Sequence, residues 1–332
     1  VRDLHDPFPD LELDEGRRHA LRVGSRAVKR LALVLLVGLL ALAASGCGGD
    51  DDEAAETTAE TAAPADTAPP EDECAKETLE LVNAGTLTVG TDNPAFPPWF
   101  EGGTPDGSEW ELNDPSTGEG FESAVAYAVA EQLGFAEDEV EWVVVPFNNS
   151  FRPGEKNFDF DINQISVTEE RDRAVDFSDS YYDVNQALVA LQGTPIADTA
   201  ALEDLKGYRL GAQVGTTSLA YIEENIQPDQ EPRIYDTSND VVAALNGRQI
   251  DGIVVDLPTA FFLVGAEEVK NGTVVGQFPS VGGQEHFGML FEEGNPLRDC
   301  VNTALAELKD DGTLEQIQQE WLSERTSAPV LE

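Results

Sequence analysis

The sequence predicts an α/β fold in two lobes, with the second lobe inserted into the first. Three features point to it. From Cys74 onward, strand-like and helix-like segments alternate, which favours largely parallel sheets. The alternation forms two series, one before about residue 190 and one after. Two extended runs, Gln186–Leu191 and His286–Phe291, stand where the series meet and read as crossing strands. The last helices then return to the first lobe, giving lobe 1 as residues 76–190 and 284–327 and lobe 2 as 191–283.

Each element has a local reason. "TLTVGTD" is a short β-rich run. "GFESAVAYAVAEQLGF" stacks Val125, Val129 and Leu133 at helical spacing and ends at Gly134. "EVEWVVVPF", "FDFDINQIS", "YRLGAQV" and "IDGIVVD" read as strands, and "TTSLAYIEENI" as a helix. In "SNDVVAALNG" Ser238 or Asn239 serves as the helix cap and Gly247 lies past the end. The tail from Asn295 reads as two helices broken at Asp311-Gly312. Arg171 falls on the first turn of a helix, where Ser166-x-x-Glu169 has capping-box spacing, and backbone amides and the helix dipole there favour an anion.

The first part of the chain is of another kind. Val28-Lys29-Arg30 leads into an apolar stretch of 14 residues, Leu31–Ala44, short for a membrane span. It ends in "ASGC", which resembles a bacterial lipobox with Cys47 as the acylated residue; an ordinary signal peptide with an incidental cysteine is the plainer reading. Residues 1–22 are acidic and unlike a signal, which suggests that the true start is Val23 or Val28, so 1–46 is taken as an extension plus signal peptide. The 26 residues after Cys47 contain no basic or aromatic residue and cannot bury enough apolar surface to order, so 47–75 reads as an acidic tether. With Cys47 carrying lipid, Cys74 and Cys300 are left either as a disulfide outside the cell or as two unpaired thiols.

The 332 residues carry 64 acidic against 20 Lys and Arg, a net charge of −44. Such a chain lacks the clustered cations that phosphate binding needs, which excludes nucleic acid as a partner. The folded region has one histidine, His286, and no His/Cys cluster at metal spacing, no P-loop and no nucleophile elbow, so neither a cofactor nor a metal nor a catalytic residue is expected.

"LTVGTDNPAFPPWF", "GFESAVAYAVAEQLG", "ISVTEERDRAVDFSDSYYD", "DLKGYRLGAQVGTTS" and "ALNGRQIDGIVVDLPTA" stand in the order found in family 3 extracellular solute-binding proteins, the polar amino-acid receptors of ABC importers. The chain resembles that family over roughly residues 76–325. The resemblance implies a two-lobed type II periplasmic-binding-protein fold with two hinge crossings, closing on a free polar amino acid, with an ABC permease and ATPase as partners. It also implies a monomer, lipid-anchored to the outer face of the cell membrane.

In the family the arginine of S-x-T-x-x-R holds the ligand carboxylate, which here is Arg171, beside Ser166; a guanidinium fork suits a carboxylate, and a surface ion pair is the bland alternative. Arg173, two residues on, should point elsewhere. "VGTTS" implies Thr216 and Thr217 on the same carboxylate, or only a turn and cap. Asp256 matches the acid for the ligand ammonium, or a helix cap. Asp92, Phe96 and Phe147 match acid and aromatic wall positions, with Trp99 a further aromatic; for lone aromatics core packing is the alternative.

The chain departs from the family at Asn163-Gln164, whose long amides would narrow the pocket or address the ligand, at Glu122 in place of Asp, and in a long loop, residues 101–120, expected to protrude at the rim. Two other functions are carried as alternatives. One is an enzyme on the same fold, of the cyclohexadienyl dehydratase kind, using Glu101 or Asp92 as a general acid; the other is the sensor module of a membrane kinase.

Overall fold

The computed structural model describes residues 73–322 and 328–331. The expectations for residues 1–46, for lipidation at Cys47 and for most of the tether lie outside them. In chain order the strands are β1 (Leu87–Thr91), β2 (Val140–Val144), β3 (Phe160–Asp161), β4 (Asp176–Phe177), β5 (Tyr182–Val184), β6 (Gln186–Leu191), β7 (Leu210–Gln213), β8 (Arg233–Tyr235), β9 (Gly252–Asp256), β10 (Gly272–Gln277), β11 (Glu285–Phe287) and β12 (Leu290–Phe291). The α-helices are α1 (Phe121–Gln132), α2 (Phe147–Ser150), α3 (Thr217–Tyr221), α4 (Ser238–Asn246), α5 (Leu257–Gly265), α6 (Leu297–Asp310) and α7 (Thr313–Leu322).

The strands form two five-stranded sheets, in the orders β2-β1-β3-β12-β4 and β10-β6-β9-β7-β8. β1 is parallel to β2 and β3, and β7 is parallel to β8 and β9, as alternation with helices requires. β12 and β6 run antiparallel to their neighbours. Both follow directly on a strand of the antiparallel β5–β11 ribbon, so each enters its sheet from the crossing rather than through a helix. The first crossing therefore lies one strand before Gln186–Leu191, whereas the second, β11, overlaps the expected run at His286 and Phe287. Gln186–Leu191 is buried at every position inside the second sheet, and an apolar run covered on both faces reads the same whether it crosses or fills a core.

Apolar residues fill both faces of each sheet. α1, α6 and α7 pack Phe121, Val125, Val301 and Leu305 on one face of the first sheet, and Val145, Phe158, Ile165 and Leu290 cover the other. In the second sheet α4 and α5 bring Val241, Leu245 and Leu263 to one face, and Leu205, Leu219 and Ile222 fill the other. The expected break between the last two helices is Gly312, at φ +81°. The cap of α4 is Thr237, whose hydroxyl accepts from Asp240 N at 3.2 Å, rather than Ser238 or Asn239.

Loop 101–120 is exposed over residues 104–107, as expected of a loop at the surface, but is anchored on its later part. Trp110 enters the first core, Asn113 donates to the Ala95 carbonyl, and Ser123 donates to the Pro115 carbonyl, which folds the loop down along the entrance to α1. Beyond α7, Val330 bridges Gln277 of β10 and Leu331 is buried in the second core.

Cys74 and Cys300 are bonded, which fastens the start of the folded region to α6 across 226 residues. A loop of that length restricts the unfolded chain strongly, about 5 kcal/mol in the entropy model. Replacing both cysteines by Ser should lower the unfolding free energy by about 2–5 kcal/mol and make the melting temperature insensitive to reductant, whereas the wild-type melting temperature should fall on reduction. Calorimetric melts with and without dithiothreitol check this.

Candidate functional site

A cleft of about 520 Å³ opens between the two lobes. Asp92, Phe96, Phe147, Gln164, Ser166, Arg171, Thr216, Thr217 and Asp256 all line it, and so do Trp99 and Asn163. These residues sit at the carboxyl ends of β1, β2, β3, β7 and β9 and in the segments that follow, where open α/β sheets present side chains to ligands.

Arg171 lies in a three-residue 3-10 turn, Arg171–Arg173, not on the first turn of an α-helix. Ser166 does not cap it, so the expected dipole-assisted anion site at this point is absent. The guanidinium is fixed by other means. Nη1 donates to the Ser166 carbonyl at 2.6 Å, and Nη2 donates across the cleft to the Gly215 carbonyl at 2.8 Å. Its Cζ stands 4.2 Å from the ring centre of Phe151 and 5.6 Å from that of Phe147, within cation–π range. Gly215 suits the turn: its φ is +76°, which glycine adopts without strain, and a Cβ would lie 2.4 Å from Asn148 Oδ1 on α2, so a larger residue would have to displace that amide. Arg173 points away, exposed, with its nearest acid, Glu169, at 3.9 Å. Desolvation pulls Arg171 down to about 10, opposed by the negative charges of Glu285, Asp256 and Glu170. It is the one Lys or Arg among the described residues lining the cleft.

The opposing wall is acidic. Asp256 ends β9; desolvation, then the charge of Glu285, push its carboxyl up to about 8. Its Oδ1 accepts from Gln186 Nε2 at 2.7 Å. The expected helix-cap alternative fails, since its side chain makes no cap bond to α5. Asp92 accepts from the amides of Asn93 at 2.8 Å and Phe147 at 3.2 Å, and burial still raises its pKa.

The threonines divide. Thr216 caps α3, donating to the Gln213 carbonyl and accepting from Leu219 N, so its hydroxyl proton is committed. Thr217 and Ser166, on opposite lobes, stand 3.3 Å apart and both donate to Glu285 Oε1, at 2.6 and 2.7 Å. The amide of Gln164, expected to face the ligand, is turned to Glu122: Nε2 and the backbone N of Gln164 both donate to that carboxylate. Gln164 holds φ +48° under that restraint. Asn163 Nδ2 is buried at the cleft without a hydrogen-bond partner among the described residues. Trp99 belongs to the core, yet its indole N–H reaches Thr259 of the other lobe at 3.0 Å. Glu285, Gln186, Phe151 and Thr259 were not foreseen; the hydrogen-bond partners of Glu285, Gln186 and Thr259 lie 31 to 160 residues away in sequence, and Phe151 meets Arg171 only through the fold. Among the described residues no group of three or more His, Cys, Asp or Glu is arranged to hold a metal ion.

Residues 87–324 match the model of the bacterial extracellular solute-binding proteins, family 3. The chain belongs to that family. Among family 3 relatives is the ABC transporter glutamine-binding protein GlnH of Bacillus subtilis (strain 168), 27% identical over 302 residues, 89% of this chain and 96% of that one. An ancestral arginine-binding protein bound to glutamine has a similar structure, with TM-score 0.59 and 30% identity over 71% of this chain and 97% of that one. So does the ancestral amino acid-binding protein AncCDT-1, a precursor of cyclohexadienyl dehydratase, with TM-score 0.58 and 26% identity over 71% and 95%. The two-lobed type II fold of this family is the one described above.

Behind the cleft, Glu122 and Asp161 are buried, and desolvation pushes each up to about 7. Glu122 is also held by Tyr181 OH at 2.5 Å, and Asp161 by Ser150 Oγ at 2.6 Å. Both folded values lie above the ordinary carboxylate range, so near neutrality the folded chain keeps protons that the unfolded chain has lost. The stability contributed by these two groups therefore falls as pH rises from about 4 to about 7 and levels off above. Glu122→Gln has no proton to lose and should flatten that fall by on the order of 2 kcal/mol. Melts of both proteins across this range check it; an unchanged pH slope in the variant would contradict it.

Proposed function

We propose that this protein is an extracytoplasmic receptor that captures a free polar amino acid between its lobes and delivers it to an ABC permease and ATPase. In this reading it is a monomer held at the outer face of the membrane by lipid on Cys47, and it performs no chemistry. The observation that carries the proposal is the dipolar cleft: Arg171 stands on one side, and Asp256 is near enough to shift its titration. A guanidinium grips a carboxylate and a carboxylate accepts an ammonium, so an α-amino acid satisfies both. Asp92, Phe96 and Phe147 border the space left for its side chain. The relatives named as binding glutamine or arginine support the ligand class.

Closure follows from the same placement. Ser166 and Arg171 belong to one lobe, and Thr217 and Asp256 to the other. A ligand touching both sets binds the closed form better, and only such differential affinity shifts the population of lobes toward closure. The enzyme reading places a general acid in the cleft; of its candidates Asp92 lines the cleft and Glu101 does not, and burial raises Asp92 as well as Asp256, but carboxyls waiting for an ammonium account for the same shifts.

Arg171→Ala should weaken binding of the preferred amino acid by about 2–5 kcal/mol, because it leaves a buried carboxylate unpaired. A thermal-shift panel of the twenty amino acids with citrulline, ornithine and ectoine finds that ligand, and calorimetry measures the loss. Unchanged affinity would remove Arg171 from the site.

A further inference from the structure

Glu285 stands on β11 at the hinge, outside the cleft lining, yet it organises the polar groups at the hinge end of that cleft. Its Oε1 takes the Ser166 hydroxyl from one lobe at 2.7 Å and the Thr217 hydroxyl from the other at 2.6 Å. Gln186 Nε2 spans both of its oxygens at 3.2 and 3.1 Å.

The proton inventory then decides polarity. A carboxylate only accepts, and each hydroxyl has a single proton to donate. With those protons directed at Glu285, Ser166 and Thr217 have lone pairs and no proton left for a ligand in the cleft. Gln186 is spent likewise: Nε2 serves Glu285 and Asp256, and Oε1 accepts from Ser218 Oγ at 2.6 Å. The hinge end is thus an array of acceptors, Ser166 Oγ, Thr217 Oγ1 and Asp256, while Arg171 supplies the donors that line the same cleft. Of the two threonines expected on a ligand carboxylate, Thr217 thus has no hydroxyl proton left to offer it.

We propose that Glu285 is a positioning residue for binding: by holding the protons of Ser166 and Thr217 it turns both hydroxyls into acceptors, makes the hinge end an ammonium site, and thereby fixes the orientation of a bound amino acid. The inference rests on the amino-acid receptor reading. A 2-hydroxy acid offers one donor where the ammonium offers three, so the acceptor array favours the amine.

The test is calorimetric titration of the wild type with each of the twenty L-amino acids, then with the 2-hydroxy acid matching the tightest one. The same pair is titrated into Glu285→Gln, Glu285→Ala and Glu285→Asp, each first checked by thermal melting. Glu285→Gln can donate an N–H to a hydroxyl and free its proton. It should reduce the preference for the amino acid over the hydroxy acid at least roughly tenfold, chiefly by weakening the amino acid. Glu285→Ala should reduce the preference too, and Glu285→Asp should restore part of it. A purely structural role would weaken both compounds alike, so a wild-type ratio in Gln and Ala variants that still fold overturns the proposal. If wild type binds no amino acid at all, the receptor reading fails and takes this inference with it.

Discussion

A single desolvated guanidinium sets the geometry of the cleft. Arg171 donates to one main-chain carbonyl on its own lobe and to another on the opposite lobe, with Phe147 and Phe151 against its face. Carbonyls satisfy part of the fork without neutralising it, and aromatic rings stabilise a cation while excluding water. The cation is therefore held in place and left without a carboxylate bonded to it. Several local features follow from this placement. The backbone after β3 ends in a tight turn rather than a helix, Gly215 takes a left-handed conformation against Asn148, and α2 stands where its rings can reach the guanidinium.

The second organising feature is the distribution of acid. In a chain of charge −44 a carboxylate near any point is unremarkable, but those around the cleft are individually restrained. Asp92 is held by two amides, Glu122 by Tyr181 and Gln164, Asp161 by Ser150, and Asp256 by Gln186. Hydrogen bonds offset desolvation without removing it, which is why these carboxyls titrate high. Glu285 is the exception in kind, since it stands on the hinge ribbon and its partners come from both lobes. Lobe contact, hinge geometry and cleft polarity all meet at that one carboxylate.

Much of this was legible in the sequence. Valine spacing placed α1, turn chemistry placed the break between α6 and α7, and the offset of two residues separated Arg171 from Arg173. The nine residues nominated from motif order all reach one cleft. What was missed depends on long-range register. Gln186–Leu191 is apolar throughout because both its faces are covered, so composition alone could not distinguish a crossing strand from a sheet centre. Ser166 and Glu169 had capping-box spacing, but the Ser166 hydroxyl found Glu285, 119 residues away, because the backbone around Ser166 bridges β11 at Phe287. Gln164 looked like a ligand contact until Glu122, 42 residues earlier, claimed its amide.

The central claim is that Arg171 and Asp256 together grip the two ends of an amino acid. A co-crystal structure with the amino acid of highest affinity tests it most directly. The account predicts a ligand carboxylate within about 3 Å of the Arg171 guanidinium and an ammonium between Asp256 and the Ser166 hydroxyl. A ligand bound outside the cleft, or bound reversed with its ammonium at the aromatic rings of Phe147 and Phe151, would contradict it.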